Sequence, residues 1–277
     1  MRLRPPFGSI KAGMFGTPGR ALFEPENFAP RFGMRLGASA KQKSMELFIE
    51  EMDAAGITLG AVPIRKGTHM RNEDLQPLLE QYPNRFVGVA GIDPHQGDAC
   101  LREIETHVLH GCARGIIVEP GFCAPALYAH DKKIYPIYDF CQTHSIPCCV
   151  SFGGFVAPDM SYTDPQIIER IALDFPKLTL IVSHGGWPHV AQICHVAFER
   201  EGVYLAPDLY TMNVPGHQDY RQAVNYLIPE KLLFGTAYPC VDMGDAVRYA
   251  LQWGVREDVL ERYMYRNAAA IFAPDTL

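Results

Sequence analysis

At 277 residues, with 48% hydrophobic and 20% charged side chains, the chain is long enough to bury a sizeable core without disulfide or metal staples. A net charge of −6 argues against nucleic acid as main partner, because phosphate binding needs a concentrated basic surface. No apolar run approaches the roughly 18 residues of a membrane helix, and "MRLRPPFGSI" lacks the apolar stretch of a signal peptide, so a cytoplasmic protein is expected.

In chain order, an irregular first forty residues give way to regular alternation. "KSMELFIEEMDAAG" reads as an amphipathic helix stopped at Gly56, and "ITLGAVPI" as the strand after it. The same pairing recurs as "NEDLQPLLEQYP" with "RFVGVAGIDP", "DACLREIETHVLHG" with "ARGIIVEP", and "IYPIYDFCQTHS" with "IPCCVSFGG". It continues as "DPQIIERIALDFP" with "LTLIVSHGG", "WPHVAQICHVAFER" with "GVYLAPDLY", and "HQDYRQAVNYLI" with "KLLFGTAYP". A helical region from "MGDAVRYALQWG" closes the chain.

Helices alternating with apolar strands predict a parallel sheet covered by helices. Seven strands are predicted after the start of the chain, and "RLR" at residues 2–4 is read as an eighth, slightly truncated first strand. The expectation is one α/β domain over residues 1–277, a (β/α)8 TIM barrel. No Gly-x-Gly-x-x-Gly turn or Walker loop supports a nucleotide fold. The eight cysteines form no Cys-x-x-Cys pair and read as small core residues.

In such barrels chemistry sits at the carboxyl ends of the strands. Those ends carry Arg2 and Arg4, Arg65, Asp93, Glu119, Ser151, His184, Asp208 with Tyr210, and Thr236 with Tyr238. His184 precedes two glycines and can exchange protons near neutral pH. Glu119 and Asp208 are candidates for the base or for counter-charges to buried arginines; Asp208 is taken as the base and Glu119 as the counter-charge of Arg2 and Arg4. Ser151, Tyr210 and Tyr238 offer hydroxyls to a substrate, and Trp187 is either a wall for a planar substrate or a packing residue. The glycine-, proline- and phenylalanine-rich stretch within residues 7–40 is read as a lid or subunit contact, with Arg20, Arg31 and Arg35 as further anion ligands, and a homo-oligomer is expected.

The segments "LLEQYPNRFVGVAGIDP", "RGIIVEP", "IPCCVSFGG", "LTLIVSHGGWP", "LLFGTAYP" and "YRNAAAIF", in this order over nearly the whole chain, resemble the amidohydrolase-related family. The resemblance implies a (β/α)8 barrel with a small-molecule site at its mouth, and the family's usual metal site of four histidines and an aspartate. Its positions fall here on Arg2, Arg4, Ser151, His184 and Ala237, leaving one ligand of five. A zinc ion wants about four ligands, and guanidiniums repel a divalent cation. No metal cofactor is therefore expected, the minority alternative being a zinc-like ion on His184, Glu119 and Asp208.

Arg2 and Arg4, two apart on a strand, share one side and form a fork suited to a carboxylate or oxyanion. The leading expectation is a metal-independent hydrolase of a small carboxylated substrate, a lactone or ring-cleavage product. Metal-independent lactone-opening members of the superfamily are what the resemblance offers as precedent. A non-hydrolytic decarboxylase or isomerase, and a binding protein without catalysis, stay open beside it. The abrupt "MRLRPP" start suggests either a clipped first strand or a native chain beginning upstream.

Overall fold

The computed structural model describes residues 29–65, 70–154, 158–273 and 275. The "RLR" strand, Arg2, Arg4, Arg20 and residues 7–28 of the early loop lie outside the described residues.

Six strands form one parallel sheet in sequential order: β1 Gly60–Pro63, β2 Phe86–Ile92, β3 Ala113–Val118, β4 Cys148–Ser151, β5 Leu180–Ser183 and β6 Val203–Ala206. The predicted seventh strand is present only as a parallel bridge between Leu205 and Leu232. Leu205 N donates to Lys231 O and Leu233 N to Leu205 O, but Phe234 N turns away to Tyr263 O, which ends the ladder. The α/β alternation expected from the sequence is therefore the observed one, over a sheet with six strands and a one-bridge seventh among the described residues.

Helices α1 Ala38–Gln42 and α2 Met45–Ala54 precede β1, the helices α3 Leu75–Gln81, α4 Ala99–Ile104, α5 Tyr135–Thr143, α6 Pro165–Asp174 and α7 Val190–Glu199 lie between the strands, and α8 His217–Gln222 follows β6. Three more, α9 Met243–Gln252, α10 Glu257–Glu261 and α11 Asn267–Phe272, follow the last strand. Short polar side chains start several of them, as when Ser44 Oγ accepts from Leu47 N at α2 and Asp164 Oδ1 from Gln166 N at α6.

Strand alternation sorts each strand into two cores. Ile116, Val118, Cys148, Val150, Leu180 and Val182 face the helices. Val87, Val89, Ile117, Cys149, Ile181, Ala206 and Leu233 gather on the other face with Phe272 of α11, so the sheet curls around its own apolar interior. Gly115 leaves room for that ring: a Cβ there would stand 3.1 Å from Phe272 Cε1. Cys148 and Cys149 go one to each core, and all eight cysteines are free.

Helices α5 and α6 are tied by a polar contact that makes a test. Tyr135 Oη donates to Asp174 Oδ2 at 2.5 Å, and Arg170 Nε donates to the same oxygen at 3.0 Å. The Tyr135 hydrogen bond, then that of Arg170, holds the Asp174 carboxyl below its ordinary range. A carboxyl depressed in the folded state stabilises the fold above its unfolded pKa of about 3.9, and that contribution disappears as pH falls through the folded value. Tyr135→Phe is expected to lower the urea midpoint at pH 7, with the gap from the parent closing below about pH 4. An unchanged gap at pH 3 would show that the loss is packing and not this linkage.

Candidate active site

The alternation that builds the interior also builds the site. Ile117 and Cys149 point inward, so Glu119 and Ser151, two residues on, point inward one layer higher, at the carboxyl ends of β3 and β4. Pro63 lines the same interior space as Val89 and Ile117, which puts Arg65 on that layer at the end of β1. The Arg65 guanidinium pairs with Glu119 Oε1, and both side chains are essentially shut off from solvent, at 1% and 3% exposure. Ser151 Oγ donates to the same carboxylate oxygen at 3.2 Å, and the ring of Phe122 lies 5.7 Å from the guanidinium carbon.

A second group sits at the ends of β5 and β6. His184 Nδ1 is 3.0 Å from Asp208 Oδ2, while Asp208 Oδ1 accepts from Leu209 N at 2.7 Å. Asp208 is 2% exposed and His184 8%. With Nδ1 this close to the carboxylate, a ring that carries its proton on Nδ1 leaves its lone pair on Nε2. This tautomer is assigned from the ion-pair distance. Backbone strain marks the same level of the sheet. His184, Asp208 and Ala237, at the ends of three neighbouring strands, all have positive φ, at 69°, 47° and 53°. Non-glycine residues held in this region cost energy that the surrounding structure must offset, and they concentrate at functional sites.

Aromatic rings wall this half. Tyr210 stacks on Trp187 at 5.3 Å and 17°, and meets His184 edge-on at 5.8 Å. Phe32, the described end of the early loop, meets the other edge of Tyr210 at 6.1 Å. Trp187 Nε1 donates to Pro215 O, so the indole packs as well as walls. Gly154 is required beside Tyr210: its φ is +67°, and a Cβ would fall 2.0 Å from Tyr210 Oη.

Several sequence expectations are placed differently. Glu119 takes Arg65 as an ion-pair partner, and the pairing with Arg2 and Arg4 expected from the sequence lies outside the described residues. Asp208, expected as the base, has Oδ2 3.0 Å from His184 Nδ1 and Oδ1 accepting from Leu209 N. The Ser151 hydroxyl is given to Glu119. The Tyr238 hydroxyl lies 3.0 Å from Ser39 Oγ, with its ring against Phe48 in the core beyond the sheet, because the residue after Ala237 points to the other face. Arg35 pairs with Asp245 at the surface, and Asp93 caps the turn that begins at Pro94. Arg65 had been read as a strand end with no role. The signal was there, since a charge ending the apolar run "AVPIR" on the parity of Pro63 must point where Glu119 points.

The model of the amidohydrolase family matches residues 24–273. The chain belongs to the amidohydrolase family. Among solved structures, it is similar to an uncharacterized TIM-barrel protein from Bordetella bronchiseptica, with 36% identity and a TM-score of 0.88 over 98% of this chain and 96% of that one. It also shares its fold with a 2,6-dihydroxybenzoate decarboxylase from Rhizobium, at 14% identity and a TM-score of 0.70, covering 84% of this chain and 89% of that one. A dihydroxybenzoic acid decarboxylase from Polaromonas, solved with bound manganese and the inhibitor 2-nitroresorcinol, matches at 15% identity and a TM-score of 0.67 over 90% of this chain and 94% of that one. A search of curated proteins returned no match.

Manganese in that decarboxylase of the same fold makes the fit of a metal worth testing here. Among the described residues no group of three or more His, Cys, Asp or Glu side chains is placed to hold a metal, so His184, Glu119 and Asp208 do not form the alternative set. Glu119 faces a guanidinium, Ser151 donates to it, and Ala237 has no donor atom. A divalent cation at this carboxylate would meet a fixed positive charge. The described residues do not fit the ion.

Proposed function

We propose that this amidohydrolase is a metal-independent hydrolase of a small carboxylated substrate, a lactone or related ester, working at the mouth of a (β/α)8 barrel of which the curled sheet is the described part. The observation that supports this most is the His184–Asp208 pair, which leaves one imidazole nitrogen as a base at a strained strand end. In this reading His184 Nε2 takes a proton from water as the water oxygen bonds to the carbonyl carbon. The carbon–oxygen bond to the ring oxygen then breaks, His184 returns the proton to that oxygen to give an alcohol, and the carboxylic acid formed loses the water's second proton to solvent as a carboxylate. Asp208 keeps the imidazole in the useful tautomer and stabilises its cation. The buried Arg65–Glu119–Ser151 group fixes the dipoles of the adjoining strand ends, and the substrate carboxylate is assigned to Arg2 and Arg4 on sequence grounds.

Decarboxylation is the second reading, favoured by the folds shared with decarboxylases of dihydroxybenzoates. Isotopes separate the two. A panel of carboxylated lactones and hydroxybenzoic acids is turned over by chelator-treated protein in oxygen-18 water and, separately, in deuterium oxide. Hydrolysis is expected to put one oxygen-18 into the product carboxylate and to survive the chelator. Release of carbon dioxide with a solvent deuteron on carbon, or activity restored only by manganese, would overturn the hydrolase reading.

A further inference from the structure

His184 does not stand on ordinary backbone. With Gly185 and Gly186 it forms a run of three left-handed residues, φ 69°, 63° and 78°. A left-handed conformation is disfavoured for a residue with a Cβ and occurs as isolated residues, so a run that includes histidine has to be held from outside. Three of its holds are backbone groups of neighbouring strands and loops. His184 N donates to Ala206 O at 2.9 Å, Gly186 N to Phe152 O at 3.2 Å, and Trp187 O accepts from Gly154 N at 2.7 Å.

The middle of the run is held by a side chain from elsewhere. Tyr220 of α8 is completely buried, and its Oη donates to Gly185 O at 3.0 Å. The approach is close enough that a Cβ on Gly185 would lie 2.8 Å from that hydroxyl. Tyr220 thus fixes the Gly185–Gly186 peptide, one residue beyond His184.

We infer that Tyr220 is a positioning residue for His184: its hydroxyl, by holding Gly185 O, sets the left-handed turn that aims the imidazole. The turnover part of this inference rests on the hydrolase reading above; the geometric part does not. Freed of the hydroxyl, the turn relaxes and the His184–Asp208 alignment goes with it. A displacement of about 1 Å in a reacting group is enough to cost on the order of 10²-fold in rate.

The molecule supplies its own control. Tyr138 is also completely buried and also donates to a backbone carbonyl, Ala129 O at 2.8 Å, on a helix that carries no part of the site. Tyr220→Phe and Tyr138→Phe therefore delete the same kind of bond. Two readouts are taken on both: the rate at which diethyl pyrocarbonate modifies His184, followed peptide by peptide by mass spectrometry, and kcat and KM on a carboxylated lactone. Denaturation midpoints are expected to fall in both variants. Tyr220→Phe alone is expected to change the His184 labelling rate several-fold and to lower kcat by about 10²-fold at constant KM. Labelling and kcat that match those of Tyr138→Phe would overturn the inference. Altered labelling in a protein that opens no lactone even as wild type would uphold the positioning role and remove the hydrolase reading.

Discussion

Glu119→Gln is expected to destabilise the fold by about 3–5 kcal/mol, the usual cost of breaking a buried ion pair from one side. The variant keeps the shape of the side chain and removes only its charge, so cavity formation does not contribute. What changes is that the Arg65 guanidinium, 1% exposed, loses the carboxylate it faces, and Ser151 loses the charge its hydroxyl bonds. Arg65→Met is expected to cost a similar amount, by leaving a buried carboxylate without this guanidinium. The diagnostic result is the double variant. Buried pairs replaced together by uncharged groups of similar volume are often neutral, so Arg65→Met/Glu119→Gln should recover much of what each single change loses. Urea denaturation of the four proteins gives the coupling directly, and additive losses would mean that the two side chains do not act as a pair. If the double variant is stable yet inactive, the pair is kept for the chemistry of the mouth and not for stability.

Asp208→Asn should leave stability nearly intact and remove most of the turnover, by about 10²–10⁴-fold in kcat. An asparagine can still accept from Leu209 N, so the local turn survives. It no longer enforces the ring tautomer, because its amide presents either a donor or an acceptor to His184 Nδ1. His184→Ala should lose as much, and the two together no more than either alone, since residues acting as a unit are non-additive. Single-turnover kinetics on a lactone that the parent opens would check this. Independent, multiplying losses would show that Asp208 acts on substrate itself, as the sequence had suggested, and not through His184.

The alternation of apolar and polar residues, legible from the sequence, placed nearly every residue that matters at a strand end. His184, Asp208, Glu119, Ser151 and Arg65 could all be located before any coordinates, because position along a strand and the side it faces are local properties with a period of two. The same rule explains the misplacement of Tyr238, which follows a left-handed Ala237 and so leaves the strand's register. Local pattern could not show where the ladder stops, either. "KLLFGTAYP" is as apolar as its neighbours, but Phe234 N is drawn to Tyr263 O, far along the chain.

By itself, then, the sequence determined the parallel α/β order and the core role of Cys148 and Cys149. Only the tertiary structure decided who meets whom. Arg65 reaches Glu119 because the sheet curls. Asp208 becomes the partner of His184 because β5 and β6 are neighbours and the residues just beyond them, His184 and Asp208, both turn left-handed. Pairing across strands depends on register and curvature, which arise from packing summed over the whole core, and no local stretch of chain encodes them.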